Sequence, residues 1–206
     1  MVRLEVLVHL VRLLPPNSTK PLKMVILGEG GVGKTTLSRT FIKNSFYRET
    51  KQTIAVEFHS KIFSNDNIPS SKVQIWDLGG QDQFKNMGVF GEFCRGSDVA
   101  LLCFDLTDLS SLFSISEWLA FIEPHVPRFL IGTKSDIASS EEKEIDLSAF
   151  QKKFQCVSSF KCSSKDVLSI IEIFETIIEF VQNSRQNKKL FSPDSSLKIS
   201  KNLLIS

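Results

Sequence analysis

Eight consecutive residues, Gly28-Glu29-Gly30-Gly31-Val32-Gly33-Lys34-Thr35, have the spacing GxxxxGK[ST], which can hold a chain of phosphates. They directly follow the apolar stretch Met24-Val25-Ile26-Leu27, so a buried strand is expected to end in a glycine-rich loop that opens a helix near Lys34. That junction aims free backbone N–H groups and the positive end of a helix dipole at one point. Lys34 adds a full charge and Thr35 a hydroxyl suited to Mg²⁺. Gly28, Gly30, Gly31, Val32, Gly33 and Thr36 complete the expected phosphate cradle.

A phosphate loop alone does not say which nucleotide it holds, and four later elements narrow the choice. Asp77-Leu78-Gly79-Gly80-Gln81 follows Val73-Gln74-Ile75-Trp76, which puts a carboxylate at a strand end beside the loop. Asp77 can hold Mg²⁺ through a water. Gly80 can offer its N–H to a terminal phosphate because no side chain blocks the approach. Gln81 comes next and can orient an attacking water. Thr53, ahead of the second expected strand, can give a hydroxyl to Mg²⁺ and an N–H to the same phosphate. Losing that phosphate would then release its loop. Thr133-Lys134-Ser135-Asp136 ends another strand, where ligands bind in open α/β sheets. Asp136 can accept from the N1–H and N2–H₂ of guanine. Adenine has no donors there, so rejecting it is worth about 1–3 kcal/mol per missing bond. The Lys134 stem can cover the base, and Ser163-Ser164-Lys165 can offer a backbone N–H to the guanine carbonyl.

Placing these groups together requires a scaffold of alternating strands and helices. Apolar runs predict strands near 23–28, 55–63, 72–77, 98–105, 128–133 and 156–161, with helices near 34–44, 111–122, 146–153 and 166–182. Val99-Ala100-Leu101-Leu102-Cys103-Phe104 is apolar on both faces, as a central parallel strand must be. Val56, Phe58 and Ser60 alternate with Glu57, His59 and Lys61, as a strand near an edge does. A turn is expected around Asn65-Asp66-Asn67 and Pro69-Ser70-Ser71. The fold class is therefore α/β, a six-stranded, mostly parallel sheet flanked by helices.

The 206 residues suit one domain with tails, and no apolar run approaches the roughly 20 residues that span a bilayer. Cys94, Cys103, Cys156 and Cys162 show no CxxC pairing, so reduced core thiols are expected rather than a zinc site. Residues 1–23 carry +3 and residues 183–206 carry +4, which leaves the middle at −5 and argues against a nucleic-acid face. Residues 1–22 form an amphipathic extension, stopped by Pro15-Pro16, that wants an apolar surface: its own domain, a partner protein or a lipid interface. Val2 excludes N-myristoylation, and the expected flexible, basic tail from 184 to 206 carries no cysteine to prenylate.

GEGGVGKT, TIAVEF, WDLGGQ, TKSD and SSK, in this order, resemble the five guanine-nucleotide motifs of the small GTPases of the Ras superfamily, with a Rab-like character, over residues 23–183. The resemblance implies the P-loop NTPase fold. It places Phe46 edge-on against the base and makes Gly30 a position where side chains harm assisted hydrolysis. Phe58, Trp76 and Phe93 are similar to the hydrophobic effector-facing trio of Rab proteins, with core packing as the other reading. Departures are Thr133 where most relatives have Asn, Thr50 where Ras-like loops often carry tyrosine, and Leu78-Gly79, which resembles Arf-like and Roc domains.

The resulting expectation is a cytoplasmic, monomeric GTPase that binds GTP and GDP with Mg²⁺, hydrolyses GTP slowly and exchanges partners between the two states. Gln81 and Lys34 act in catalysis, and Thr35, Thr53 and Asp77 hold the metal. An activating protein, an exchange factor and effectors are implied, with peripheral membrane contact through residues 1–22 left open and no nucleic-acid partner. Two alternatives stand beside it. One is a pseudo-GTPase scaffold holding nucleotide structurally. The other is a P-loop ATP-dependent kinase, for which the arginine-rich lid is missing.

Overall fold

A computed structural model of the chain describes residues 20–47, 53–65, 70–80 and 89–190, the side chains of 187–190 aside. Its elements are β1 (Leu22–Leu27), α1 (Lys34–Lys43), β2 (Val56–Phe63), β3 (Ser71–Leu78), α2 (Phe90–Cys94), β4 (Val99–Asp105), α3 (Ser110–Phe113), α4 (Ile115–Trp118), a 3₁₀ turn (Leu119–Phe121), β5 (Arg128–Thr133), α5 (Ser140–Glu144), α6 (Ser148–Lys153), β6 (Ser158–Lys161) and α7 (Val167–Leu190). The sheet order is β2-β3-β1-β4-β5-β6, with β2 antiparallel to β3 and every other pair parallel. All six expected strands are present.

Continuous apolar sequence explains the centre of the sheet, because every residue of β4 and β5 is buried. One face packs on α1 and α7, where Phe41 stacks on Phe174 with ring centroids 4.1 Å apart. The other face packs on α2, α3, α4 and α6 through Phe90, Leu112, Trp118 and Phe154. With helices on both faces, the chain turns one way from β1 to β3 and the other way to β4. The crevice at the carboxyl ends of these strands is where such sheets take ligands.

Three expectations change. The helix read over 111–122 is broken into α3, α4 and the 3₁₀ turn. Serine hydroxyls bond back to the helix's own carbonyls, Ser114 Oγ to Ser110 O at 3.2 Å and Ser116 Oγ to Phe113 O at 3.1 Å, which bends helices. A short helix not anticipated, α5, is nucleated by a capping box in which Ser139 and Glu142 satisfy each other's backbone N–H. Finally, α7 runs to Leu190, so the tail boundary drawn at 184 falls inside a helix. Residues 1–19, 66–69 and 191–206 lie outside the described residues, and with them the amphipathic extension, most of the expected turn and most of the tail.

The extra length of α7 has a structural use. Arg185 donates to the carbonyls of Lys20 at 2.9 Å and Pro21 at 3.0 Å and pairs with Asp98, whose other contact is the N–H of Lys23 at 2.9 Å. The last helix thereby ties down the start of β1, far from the ligand crevice. Ending the chain at residue 183 is expected to cost about 1–3 kcal/mol relative to ending it at 190, the scale of unpairing a mostly buried carboxylate and two carbonyls. Urea unfolding of the two truncated proteins, with Arg185→Ala as a third sample, checks this. Equal midpoints for all three would remove Arg185 from the fold's framework.

Candidate functional site

The loop after β1 is built from conformations that only glycine takes easily. Gly28 (φ 142°) approaches β4 so closely that an added Cβ would sit 2.1 Å from the Cys103 carbonyl oxygen. Gly33 (φ 96°) caps α1 without any side chain, leaving the helix's first N–H groups open to an anion. Lys34 is buried and donates from Nζ to the carbonyls of Gly28 and Glu29, each at 2.7 Å, so the ammonium sits within the loop it serves.

The second expected element meets this loop from β3. A Cβ on Gly80 would lie 2.3–2.5 Å from the backbone of Glu29 and Gly30, and a Cβ on Gly79 would lie 2.7 Å from the Thr53 carbonyl oxygen. Gly79 N–H also donates to Ala55 O at 2.8 Å. The two glycines let three loops converge where side chains would hold them apart. Gly30 itself has room, its nearest neighbour being Gly80 O at 3.6 Å.

At this convergence Thr35 Oγ1 and Thr53 Oγ1 lie 2.6 Å apart. Beside them Asp77 is fully buried, and neither carboxyl oxygen has a hydrogen-bond partner among the described residues. Burial pushes its pKa up to about 6, and the nearby Thr35 hydroxyl and Lys34 charge offset only part of that. A buried, unpaired carboxylate beside two hydroxyls is the donor set of a hard divalent cation, so Mg²⁺ fits here.

A cleft of about 510 Å³ opens next to the loop. It brings together Gly31, Gly33 and Thr36, then Phe46, then Thr133, Lys134 and Asp136, and finally Ser163, Ser164 and Lys165. Asp136 accepts from Ser163 Oγ at 2.7 Å and pairs with Lys165 Nζ at 2.7 Å, contacts that hold its carboxyl below the usual range, Lys165 foremost. The Thr133 hydroxyl reaches Val32 O at 2.5 Å and Phe104 O at 2.9 Å, tying β5 to the phosphate loop. Gly30 and Val32 line an adjoining groove of about 420 Å³.

Asp105 and Ile137 escaped the sequence reading, as did the side-chain partners of Lys134 and Ser163. Lys134 has φ 59° and its Nζ pairs with Asp105 Oδ2 at 2.5 Å, while Asp105 also holds the Thr107 hydroxyl at 2.8 Å. The available signal was a charged residue ending the strand next to β5. Ile137 lines the base cleft. The Ser163 side chain orients Asp136, a use beyond the backbone N–H expected of that segment. Phe58, Trp76 and Phe93 are brought together, Phe58 edge-on to Trp76 at 5.4 Å and Trp76 to Phe93 at 6.1 Å, with Phe58 exposed and Trp76 buried. Gln81 and Thr50 lie outside the described residues.

A glycine cradle with its lysine, a cation site at the end of β3 and a carboxylate aimed into a base-sized cleft define a P-loop protein that binds guanine nucleotides. The chain belongs to the Ras family, whose model matches residues 23–183. It is 31% identical over 196 residues to the Ras-related protein Rab-7b of Homo sapiens, covering 88% of this chain and 96% of that one. It is 29% identical over 184 residues to the Ypt/Rab-type GTPase YPT7 of Saccharomyces cerevisiae (84% and 88% covered) and 29% over 196 residues to Rab7 of Pisum sativum (88% and 92%). The Rab-like character is thereby shown.

Replacing Asp136 by Ala is expected to weaken GDP binding by about 3–6 kcal/mol, two charged hydrogen bonds' worth, and to leave ADP binding where it was. Calorimetric titration of both nucleotides into both proteins measures this. Because the carboxyl is held low, it stays ionised as the pH falls to 5, so the preference of the unaltered protein for GDP over ADP is expected to be flat from pH 8 to 5, whatever Asp77 and the phosphates contribute to both affinities alike. Loss of that preference on passing through pH 6 would contradict the assignment.

Proposed function

We propose that this protein is a molecular switch that binds GTP and GDP with Mg²⁺, hydrolyses GTP slowly and changes partners with the nucleotide, in trafficking or signalling. The observation that carries this reading is the orphaned Asp77 carboxylate beside the Thr35 and Thr53 hydroxyls, at the mouth of a phosphate loop. Thr53 belongs to the segment before β2, so a ligand that engages it can order that segment and a shorter ligand cannot.

The chemistry assigned to the chain is positional. The loop amides, the start of α1 and Lys34 neutralise phosphate charge, and Gly80 can bring its N–H close for want of a side chain. Thr35, Thr53 and Asp77 would hold Mg²⁺, which when bound neutralises charge on the phosphates during transfer. Gln81 is assigned the orientation of water by resemblance. Among the described residues, Arg39, Arg95, Arg128 and Arg185 are all engaged elsewhere, with Glu57, Glu92, the Phe154 carbonyl and Asp98. With Arg48 outside the described residues, fast turnover is assigned to an activating protein that inserts an arginine, a group that supplies about 10³–10⁵ in rate.

An exchange factor and effectors complete the cycle, and the Phe58, Trp76 and Phe93 cluster is the surface offered to effectors. A monomer in the cytoplasm, touching membranes through residues 1–22, is part of the same reading and rests on sequence. The domain is taken as residues 23–183 with α7 extending it. The scaffold alternative would show equal partner affinity for the GDP and GTP-analogue forms. The kinase alternative would show ATP competing with GDP.

Gln81→Leu is expected to keep GTP bound and to slow its hydrolysis in a single-turnover assay with Mg²⁺. Unchanged hydrolysis would remove Gln81 from the mechanism, and absence of hydrolysis in the unaltered protein, with nucleotide bound, would favour the scaffold.

A further inference from the structure

The strand β2 turns its polar residues inward. Glu57, His59 and Lys61 are half-buried towards α1, while Phe58 and Ile62 are exposed. Two of the three are paired with α1 and its C-cap: Lys61 Nζ donates to Phe41 O and Asn44 Oδ1, each at 2.7 Å. Arg39 donates from one nitrogen to both oxygens of Glu57, at 2.7 and 2.9 Å. His59 lies 3.4 Å from the same carboxylate, but burial lowers its pKa and keeps it neutral, so Arg39 is the charge that Glu57 answers to.

The placement of this pair is what gives it meaning. Thr35 and Arg39 are one turn apart on α1 and share a face. Thr53 and Glu57 flank the bend at Ala55, which has φ 62°. The helix and the segment entering β2 are thus joined by two neighbouring rungs, Thr35 with Thr53 and Arg39 with Glu57. Glu57 also stands directly opposite Asp77 in the β2–β3 register, so two carboxylates lie side by side on adjoining strands. An unneutralised Glu57 would repel Asp77 and draw the cation away from it. The charge of Arg39 opposes that of Glu57 at Asp77, and the pair fixes the strand at the height that brings Thr53 to Thr35.

We propose that Arg39 is a positioning residue that, through its pair with Glu57, holds Thr53 at the cation site and so sets how firmly the triphosphate form stays closed. This rests on the switch reading above, in which Thr53 engages the cation only when the terminal phosphate is present. Arg39 touches neither nucleotide nor metal in this role. Its effect must therefore depend on Mg²⁺ and on the third phosphate together.

The experiment is the release of fluorescent GDP and of a fluorescent non-hydrolysable GTP analogue, each with saturating Mg²⁺ and with excess EDTA. It compares the unaltered protein, Arg39→Ala, and a double variant with the charges exchanged, Arg39→Glu with Glu57→Arg. Arg39→Ala is expected to release the GTP analogue about three- to tenfold faster in Mg²⁺, the scale of a half-exposed, two-bonded ion pair. GDP release, and the release of both nucleotides in EDTA, should match the unaltered protein. The exchanged pair should recover at least part of the loss. Equal acceleration in all four conditions would mean a general loosening of the domain and would overturn the proposal, as would no acceleration in any. An unaltered protein whose GTP-analogue release ignores Mg²⁺ would instead overturn the switch reading, and the Arg39 proposal with it.

Discussion

A wholly buried carboxylate without a hydrogen-bond donor is among the least favourable groups a fold can keep, and Asp77 has none within bonding distance among the described residues. The crevice is arranged around that cost. The loop after β1, the end of β3 and the segment entering the antiparallel β2 bring to one point several glycines, the phosphate-binding lysine and two hydroxyls. Gly79 and Gly80 let the end of β3 press against the loop after β1. The loop in turn leans on β4 through the absent side chain of Gly28. Asp77, Thr35 and Thr53 would hold a divalent cation, whose charge would offset that of the buried carboxylate, and the loop's N–H groups would face the phosphates.

The base cleft is prepared by a different means. Asp136 is aimed by two neighbours from the segment after β6, so its oxygens are fixed and ionised before any purine arrives. Thr133 links this cleft to the phosphate loop. A single hydroxyl reaches the Val32 carbonyl and keeps the phosphate loop and the base-reading strand in register. Lys134, in a left-handed conformation, is steadied by Asp105 from the adjacent strand. Phosphate and base sites are thus one mechanical unit, which allows a change at one to be felt at the other.

Much of this was legible in the amino-acid sequence because the signals are local. An apolar run followed by glycines and a lysine specifies strand, loop and helix within a dozen residues, and all six strands fell close to where their apolar runs lie. What could not be read depends on partners distant in the chain. Alternation in β2 gave the strand but not which face turns inward. The answer, Glu57, His59 and Lys61 towards the helix, is decided by Arg39 and by the carbonyls at the end of α1. The helix read over 111–122 had helical periodicity, yet serine hydroxyls competing for carbonyls broke it. The end of α7 was set too early because the apolar pattern stops near Val181, whereas the residue that justifies the last turns, Arg185, is charged and works on Lys20 and Pro21.

The central claim is that a cation and the phosphates together satisfy Asp77, and calorimetric titration of a non-hydrolysable GTP analogue with and without Mg²⁺ tests it most directly. The account predicts that Mg²⁺ tightens binding to the unaltered protein by at least about tenfold and has little effect on Asp77→Ala. Equal affinity with and without Mg²⁺ in the unaltered protein would contradict it.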